Sequence, residues 1–450
     1  MACRFCSFFK LQVNLQKECY TNTSRAGLVT IAEVMQMLKF TELVNRYLPR
    51  PGSNRGFQPS VFVTSLMLML HEGGKSLDDL HYIREDKALR KLLVLKQVPT
   101  PDAMGDWLRR IGNSAKKGTK TSLTEINKKI LSKTLHNKKA ITLDIDATLS
   151  SSKNKTAKWT YKKCTGYMPM VGHIAETGQV LSTDFREGNI SPAAGNLEFI
   201  HQCEDALPEG VSVKKLRIDA AGYQAAIIDE CIERKIDFAI RAKMNKTLKT
   251  TIENLSEDKW QSMVDRNGEK IPDGTTCRLV HAMDKNKHSF TVIVQRAQVK
   301  GQILLDLDND EEKEIIQSGA YVYRAIATNR DSMTDSELIH WYNQRGEASE
   351  NRIKELKSDF AAGKMPCRDF AANSLFFALC SLAYNLFALM RHLLPARFES
   401  CRAKTVRLRL YALAGKVVQH GRKIYLKLQT AHHNLLHNAI RTMRQLAQAP

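Results

Sequence analysis

Acidic residues are under-represented in this chain of 450 residues. Lys and Arg number 68 and Asp and Glu 47, which leaves a formal net charge of +21 at pH 7. The deficit is greatest between residues 391 and 450, where twelve Lys and Arg face a single acid, Glu399. An excess of positive charge favours a polyanionic partner, because each cation that neutralises a phosphate releases a counterion. Nucleic acid is therefore the first partner to consider.

Long apolar runs and regular cysteine patterns are also missing. The longest apolar run, residues 375–390, contains Ser381 and Asn385 and is too short to span a bilayer, so we expect a buried helix and no membrane partner. The first ten residues lack the continuous apolar stretch of a signal peptide, which predicts a cytoplasmic protein. The ten cysteines are scattered, as is typical of reduced thiols, and Cys3 and Cys6 have no second pair with which to bind zinc.

Several motifs that would assign an activity are absent from the sequence. It contains no Walker loop, no dinucleotide-binding glycine fingerprint and no internal repeat. Asp306, Asp308 and Asp310 imitate the start of an EF-hand loop, but the sixth and twelfth positions are Glu311 and Gln317. These absences argue against a P-loop nucleotide site, a dinucleotide site and an EF-hand calcium site.

The N-terminal part, residues 1–137, is predicted to be a helical DNA-binding domain. Apolar residues recur at helical spacing in 28–48 and 60–70. Thr100 and Pro101 begin a further helix, which carries Arg109 and Arg110. The sequence leaves two interpretations of this helix open, a helix-turn-helix recognition element or a capped packing helix with a basic face.

From residue 138 the pattern changes to strands and alternating helices. Strands are predicted at 141–148, 168–174, 180–185, 214–219 and 238–242, and helices at 194–207 and 223–235. Three antiparallel strands followed by alternating units is the order of a ribonuclease-H-like fold. We therefore predict an α/β protein whose ribonuclease-H-like catalytic core occupies residues 138–245 and 334–395. A β-rich insertion at 246–333, with a strand at 303–307 among others, interrupts this core, and a basic C-terminal region follows at 396–450.

Three acidic positions fall where this fold would gather them. Asp144 and Asp146 share a face of the first core strand, and Asp219 ends the fourth strand just before Gly222. Each alone is also typical of a polar strand end or a helix N-cap. If the two strands are neighbours and a later acidic helix packs across them, three carboxylates converge. Such hard oxygen donors suit Mg²⁺ or Mn²⁺.

That later helix is predicted at residues 341–357. Glu350 and Lys357 are seven residues apart and Lys354 lies between them, so all three share one face of a helix. A solvated helix with stabilising Glu-to-Lys pairs is the alternative interpretation.

Four stretches together carry a resemblance to a known family: Leu143–Thr148, Gly166–Pro169 with Glu176–Gln179, Arg217–Tyr223, and Tyr342–Lys357. They resemble the DDE transposases of bacterial insertion sequences, in the branch with a β-rich insertion and a Tyr-Arg-Glu-Lys signature. The most similar group is the one numbered thirteen-eighty. The resemblance covers most of the chain after about residue 25.

The resemblance implies a catalytic and metal-binding triad of Asp146, Asp219 and Glu350, with two Mg²⁺ ions per site for which Mn²⁺ may substitute. It also implies contacts to the DNA backbone. The residues expected to make them are Tyr342, Arg345 and Lys357, with the neighbouring Lys354 and the more distant Arg109 and Arg110.

One departure from the family pattern affects these assignments. Four residues instead of three separate Arg345 from Glu350. The extra residue turns a helix by about 100°, so Arg345 leaves the Glu350 face unless the helix starts after Gly346 or contains a π-bulge. Glu347 becomes a rival third ligand because it lies seven residues before Lys354, but the longer match around Glu350 favours Glu350.

The expected activity is cut-and-paste transposition. Such an enzyme binds the terminal inverted repeats of its element, cleaves double-stranded DNA and joins the freed 3′-hydroxyl to target DNA. We expect a homodimer in the synaptic complex, in the bacterial cytoplasm at the nucleoid. Two alternatives remain: a domesticated, non-catalytic DNA-binding protein, or a nuclease of the same fold that does not join strands.

Overall fold

The computed structural model describes residues 21–53, 55–114, 119–265, 267–298, 316–318 and 321–448. The Cys3–Cys6 pair, the predicted strand at 303–307 and the Asp306 loop lie outside these residues. The helices are α1 (Val29–Met37), α2 (Phe40–Tyr47), α3 (Pro59–Glu72), α4 (Leu80–Glu85), α5 (Lys87–Leu92), α6 (Pro101–Ser114), α7 (Thr119–Thr134), α8 (Asn196–Asp205), α9 (Ala225–Glu233), α10 (Lys246–Glu253), α11 (Asp335–Asp359), α12 (Phe370–Leu393), α13 (Ala403–Val406) and α14 (Thr430–Gln448). The strands are β1 (Asn22–Thr23), β2 (Ala140–Ala147), β3 (Ser150–Ser151), β4 (Lys158–Trp159), β5 (Thr165–Tyr167), β6 (Met170–Ile174), β7 (Val180–Asp184), β8 (Ser212–Ile218), β9 (Asp237–Arg241), β10 (Gln261–Val264), β11 (Lys270–His281), β12 (Phe290–Gln298), β13 (Ile316–Ser318), β14 (Tyr321–Thr328), β15 (Gly415–His420) and β16 (Lys423–Lys427).

Most of the strands form one mixed sheet, which confirms the α/β class. Its order is β10-β11-β12-β14-β9-β8-β2-β6-β7, and β13 pairs with β14. On one side of β2, the strands β8 and β9 run parallel to it. On the other side, β6 runs antiparallel to β2, and β7 antiparallel to β6. The carboxyl ends of β2 and β8 therefore meet at the same edge of the sheet.

The strands predicted as an insertion continue this sheet. β14 pairs antiparallel with β9, and β12, β11 and β10 follow in turn. Without them β9 would present a row of unpaired backbone groups, which is a site for unwanted pairing. The segment therefore widens the sheet that carries the predicted core strands.

The two faces of the sheet are covered by different helices. One face packs against α8, α9 and α10 in a core that includes Leu143 and Ile145 of β2. The other face is covered by α11, whose Leu338, Ile339 and Tyr342 contact strands β9, β12 and β14. Because side chains alternate along a strand, residues 144 and 146 of β2 face α11.

The remaining helices form one helical body from both ends of the chain. α12 lies at its centre and contacts α1, α3, α6 and α7. α14 packs against α1, where Arg444 forms an ion pair with Glu33. β1 also pairs with β15. The segments predicted as separate N-terminal and C-terminal regions thus contribute to the same apolar core.

Two asparagines join this helical body to the edge strand β7. Asn385 of α12 accepts a hydrogen bond from the N–H of Val180 at 2.7 Å and donates to the carbonyl of Val180 at 2.6 Å. Asn127 of α7 donates to the carbonyls of Val180 and Leu181 at 3.1 Å. Asn385 also donates to Asn127 at 2.7 Å, so the buried amides satisfy one another and the strand.

Of two predicted helical segments, one is broken into two helices and the other is a single buried helix. The stretch at 28–48 is split into α1 and α2 at Lys39, whose φ of 49° ends the first helix. The apolar run at 375–390 lies within α12, which is long and apolar enough to cross a membrane by composition. However, 89% of its most apolar window is buried inside the protein, in the centre of the helical body.

Two buried histidines make folding sensitive to acid. Burial lowers the pKa of His71 to about 3, helped by the charge of Arg407, and burial likewise lowers the pKa of His173 to about 3, helped by Arg352. An unfolded histidine titrates near pH 6.5. Each therefore takes up a proton on unfolding between these limits, and the stability present above pH 6.5 is lost as the pH falls.

We expect acidification from pH 7.5 to 5.0 to lower the free energy of unfolding by up to about 2 kcal/mol for each of these histidines. Urea unfolding at both pH values measures this difference. The variant His71→Gln should show a smaller difference than the wild type, because the amide does not titrate. His433→Gln, at an exposed position of α14, should retain the wild-type difference. An unchanged difference in His71→Gln would contradict the neutral state assigned to His71.

Candidate active site

Two of the predicted acids lie side by side at the carboxyl ends of neighbouring strands. In the parallel pair β2 and β8, Ile145 is opposite Ile218. Asp146 follows Ile145 and Asp219 follows Ile218, so the backbones of the two aspartates are separated by roughly the strand spacing of 4.8 Å. Asp219 also caps the turn that follows β8, where its side chain accepts the N–H of Ala221 at 3.0 Å.

The environment of Asp146 is dominated by burial and by other charges. Burial raises the pKa of its carboxyl to about 6. The guanidinium of Arg345, with Nη2 at 3.5 Å from a carboxylate oxygen of Asp146, opposes this shift, and the carboxylates of Asp219 and Glu350 add to it. All three predicted acids are therefore close enough to interact electrostatically.

Asp144 has a different role from Asp146, although both face α11. Its carboxylate is fully buried and accepts two hydrogen bonds from Arg217 of β8, at 2.7 and 2.8 Å. Arg217 also donates to the carbonyl of Trp341 on α11 at 2.5 Å. This bidentate pair occupies both oxygens of Asp144, so the residue joins two strands and a helix and is not an open ligand.

Helix α11 begins with a capping box formed by Thr334 and Glu337 and continues without a break to Asp359. Because it is regular through Gly346, residues five apart on it are separated by about 140°. Arg345 is accordingly buried and faces the sheet, whereas Glu350 is exposed on the flank of the helix. The helix neither starts after Gly346 nor contains a π-bulge, so Arg345 and Glu350 lie on different faces.

Hydrogen bonds from long side chains fasten α11 to the edge of the sheet. Arg345 donates to the carbonyl of Ile145 at 3.1 Å. Arg352 donates to the carbonyl of Ala175, just after β6, at 2.7 Å. Lys357 donates to the hydroxyl of Thr148, just after β2, at 3.1 Å. These contacts hold the helix that carries Glu350 across the ends of the strands that carry the two aspartates.

The residues predicted to contact DNA are placed unevenly. Tyr342 is 95% buried, beneath the guanidinium of Arg241 at 5.1 Å from its ring centre, and Arg345 is also buried. Lys357 is half-buried: burial lowers the pKa of its ammonium, as does the charge of Lys162, while Asp146 opposes this. Lys354 is exposed on α11.

Arg109 and Arg110 are both exposed on α6. The apolar face of α6 packs against α12, and Trp107 stacks on Phe62 with ring centres 5.0 Å apart. Arg109 forms an ion pair with Asp106 of its own helix at 2.5 Å. The helix therefore combines a packed apolar face with a basic outer face.

The donor set can be tested against a divalent metal. Within the described residues, no three His, Cys, Asp or Glu side chains are close enough together to hold one ion. The chemistry of Asp146, Asp219 and Glu350 nevertheless fits a hard divalent cation, because all three offer carboxylate oxygens and because burial, together with the charges of Asp219 and Glu350, raises the pKa of Asp146. A cation among them would remove that repulsion. The side chain of Glu347 lies outside the described part of the structure.

Sequence reasoning missed two arginines that position the site. Arg217 lies in an otherwise apolar strand end, Leu216-Arg217-Ile218, and an arginine at a buried strand position signals a buried acidic partner. Arg352 lies two residues after Glu350 and had no such signal, since it resembles any other cation of a charged helix.

Comparison with known proteins gives a family match. The family model described as transposase DDE domain group 1 matches residues 5–448. Among solved structures, the chain is similar to that in "Cryo-EM structure of piggyBac transposase synaptic complex with hairpin DNA", with 12% sequence identity and a TM-score of 0.46. That match covers 94% of this chain and 82% of the other. No curated protein matches the chain.

The pairing of Asp144 with Arg217 leads to a stability prediction. Arg217→Met should lower the free energy of unfolding by about 3–5 kcal/mol, because it leaves a buried carboxylate without its partner. The double variant Asp144→Leu with Arg217→Met should recover most of this loss, because no buried charge remains. Asp146→Asn should unfold at a urea concentration equal to or above that of the wild type, since burial and the nearby carboxylates disfavour the charged form of Asp146 by more than Arg345 favours it. Equal losses in Arg217→Met and the double variant would show that the charge is not the cause.

Proposed function

Because the chain belongs to the DDE transposases, whose family model matches residues 5–448, we propose that it is the transposase of an insertion sequence and catalyses cut-and-paste transposition. It binds the terminal inverted repeats of its element, cleaves the DNA strands and joins the freed 3′-hydroxyl to target DNA. The observation that carries the proposal is the adjacency of Asp146 and Asp219 under the helix of Glu350.

The five strands β7-β6-β2-β8-β9 support a ribonuclease-H-like catalytic core. Three antiparallel strands are followed by two that run parallel to the first, and the helices α8 and α9 connect them. Strands β10 to β14 then correspond to the insertion that separates Asp219 from Glu350. In such a core, acids at the ends of β2 and β8 are the positions where a site is built.

Asp146, Asp219 and Glu350 would hold two Mg²⁺ ions, or Mn²⁺ in their place. The chemistry that such ions would supply is activation of a water or a 3′-hydroxyl and stabilisation of the leaving oxygen. Asp219 is held in place by its bond to the N–H of Ala221. Asp146 is held between Arg345 and the strand, so its carboxylate is oriented before a cation or DNA arrives.

The basic residues around the acids have separate tasks. Arg345 offsets part of the negative charge at Asp146 from the buried side. Lys354, exposed beyond Glu350, and Lys357 beside Thr148 would contact the DNA backbone. Tyr342 contacts Arg241 and packs α11 on the sheet, and the DNA contact expected of it stays a prediction.

Binding of the element ends would use basic surfaces outside this site. Arg109 and Arg110 on the outer face of α6, and the basic residues of 396–450, supply positive charge on the helical body. Two ends must be held together for coordinated cleavage, so the working form is a homodimer on double-stranded DNA, at the bacterial nucleoid.

A second candidate is a non-catalytic DNA-binding protein derived from such an element. The clustering of Asp146, Asp219 and Glu350 speaks against it, because carboxylates near phosphate weaken DNA binding unless a cation joins them. A nuclease that does not join strands is a third candidate, and the products of the reaction distinguish it.

We expect Asp219→Asn to abolish metal-dependent cleavage of DNA carrying the element ends, by at least about a thousandfold, because removal of a metal ligand costs several kcal/mol in the transition state. End binding, measured by gel shift, should remain intact. The free Mn²⁺ signal in electron paramagnetic resonance should fall with wild-type protein and stay unchanged with the variant. Undiminished cleavage by Asp219→Asn would refute the triad.

The third ligand is tested by a matched pair on α11. Glu350→Gln should lose cleavage as completely as Asp219→Asn, whereas Glu347→Gln should retain it. The reverse result would assign the role to Glu347. If the wild-type protein binds the element ends but does not cleave them, the non-catalytic protein is favoured. If it cleaves them but gives no joined product, the nuclease is favoured.

A further inference from the structure

The segment that leaves the end of β2 is strongly basic. Residues 147–175 contain five lysines and no acid. The strands β3, β5 and β4 form a small separate sheet within this segment, which we call the lysine hairpin, residues 150–167. All five of its lysines are exposed: Lys153, Lys155, Lys158, Lys162 and Lys163.

Two aromatic rings are exposed in the same hairpin. Trp159 is 64% exposed and Tyr161 is 42% exposed, whereas Thr160 between them is buried at 1%. Both rings are therefore accessible from solvent, on either side of a buried residue. Lys162 lies over the ring of Tyr161, with Nζ 5.7 Å from its centre. Large aromatic side chains at the surface, surrounded by cations, are typical of platforms on which nucleic-acid bases stack.

The lysine hairpin is fastened to the rest of the protein. Within the hairpin, Thr160 donates through both its N–H and its hydroxyl to the carbonyl of Cys164, at 2.9 and 2.8 Å, which fixes the turn between β4 and β5. Asn154 donates to the carbonyl of Cys367, between α11 and α12, at 2.8 Å. A Cβ atom at Gly188 would lie 2.6 Å from the carbonyl oxygen of Lys158, so the neighbouring loop approaches the hairpin closely. A platform held in this way loses little freedom when it binds.

The hairpin is adjacent to the candidate active site. It begins two residues after Thr148, to which Lys357 of α11 donates a hydrogen bond. The ammonium of Lys357 is influenced by both Lys162 of the hairpin and Asp146 of the site, each through its charge. The hairpin therefore follows directly on the strand end that carries Asp146, and its Lys162 acts on the same lysine of α11 as Asp146 does.

Lysines alone would suit the backbone of any DNA. Rings are different, because the faces of bases in a duplex are covered by their neighbours and only an unpaired base can stack on a side chain. We propose that the lysine hairpin binds an unpaired segment of DNA next to the cleavage site, with bases stacked on Trp159 and Tyr161. This proposal rests on the proposed function, since it identifies the strand form that the same site receives.

The test uses the full chain and two fluorescein-labelled probes, a blunt duplex and the same duplex with an unpaired single-stranded overhang. Fluorescence anisotropy gives the affinity for each. Trp159→Ala should weaken binding of the overhang probe roughly tenfold and Tyr161→Ala by a similar factor, as expected for loss of one stacked base. Trp159→Phe should restore most of the affinity. Binding of the blunt duplex should be unchanged in all three variants.

Tyr425→Ala is the matched control, because Tyr425 is 46% exposed in β16 between Lys423 and Lys427 but lies outside the hairpin. It should bind both probes as the wild type does. The proposal is overturned if Trp159→Ala keeps its affinity for the overhang probe, if it weakens both probes equally, or if Tyr425→Ala shows the same selective loss. Failure of the proposed function itself would appear separately, as absence of metal-dependent cleavage by the wild type.

Discussion

The buried ion pair between Asp144 and Arg217 is the contact on which the arrangement of the acids depends. It joins β2 to β8 side chain to side chain, and through the carbonyl of Trp341 it also holds α11 against both strands. The parallel register of the two strands then places Asp146 beside Asp219 two residues further on. A buried charge pair is costly to desolvate, and its benefit here is geometric, because it allows one alignment of the three elements.

The charges of the protein are organised around this pair by depth. Asp144 and Arg217 neutralise each other in the buried interior. Arg345 partly neutralises Asp146, whose side chain is closer to the surface. Glu350 and Lys354 lie at the surface, where partners can reach them. Asp146, Asp219 and Glu350 thus bring negative charge together at one edge of the sheet, in a protein whose net charge is strongly positive. A net positive charge attracts polyanions to the molecule.

The alternation of apolar residues predicted the five core strands and the helices between them because each strand is buried on at least one face. The break at Lys39 could not be predicted, since lysine has no preference for a positive φ. Asp144 and Asp146 were indistinguishable in sequence because a period of two gives both the same face. Only the opposite strand, with arginine at one position and aspartate at the other, separates a structural acid from a candidate ligand. The burial of Tyr342 likewise depends on how α11 lies on the sheet.

The helical body has a consequence for synthesis of the chain. All strands of the ten-stranded sheet lie between residues 140 and 328. They can therefore meet before the segment from α11 to α14 has left the ribosome. The helices α1 to α7 precede this sheet in the chain, but they lack their partners α12 and α14 until residues 370–448 have been made. Their apolar faces must wait, exposed or in provisional contacts, during this interval. The helices α1 to α7 are thus among the last parts of the chain to reach their native packing, although they precede the sheet in sequence.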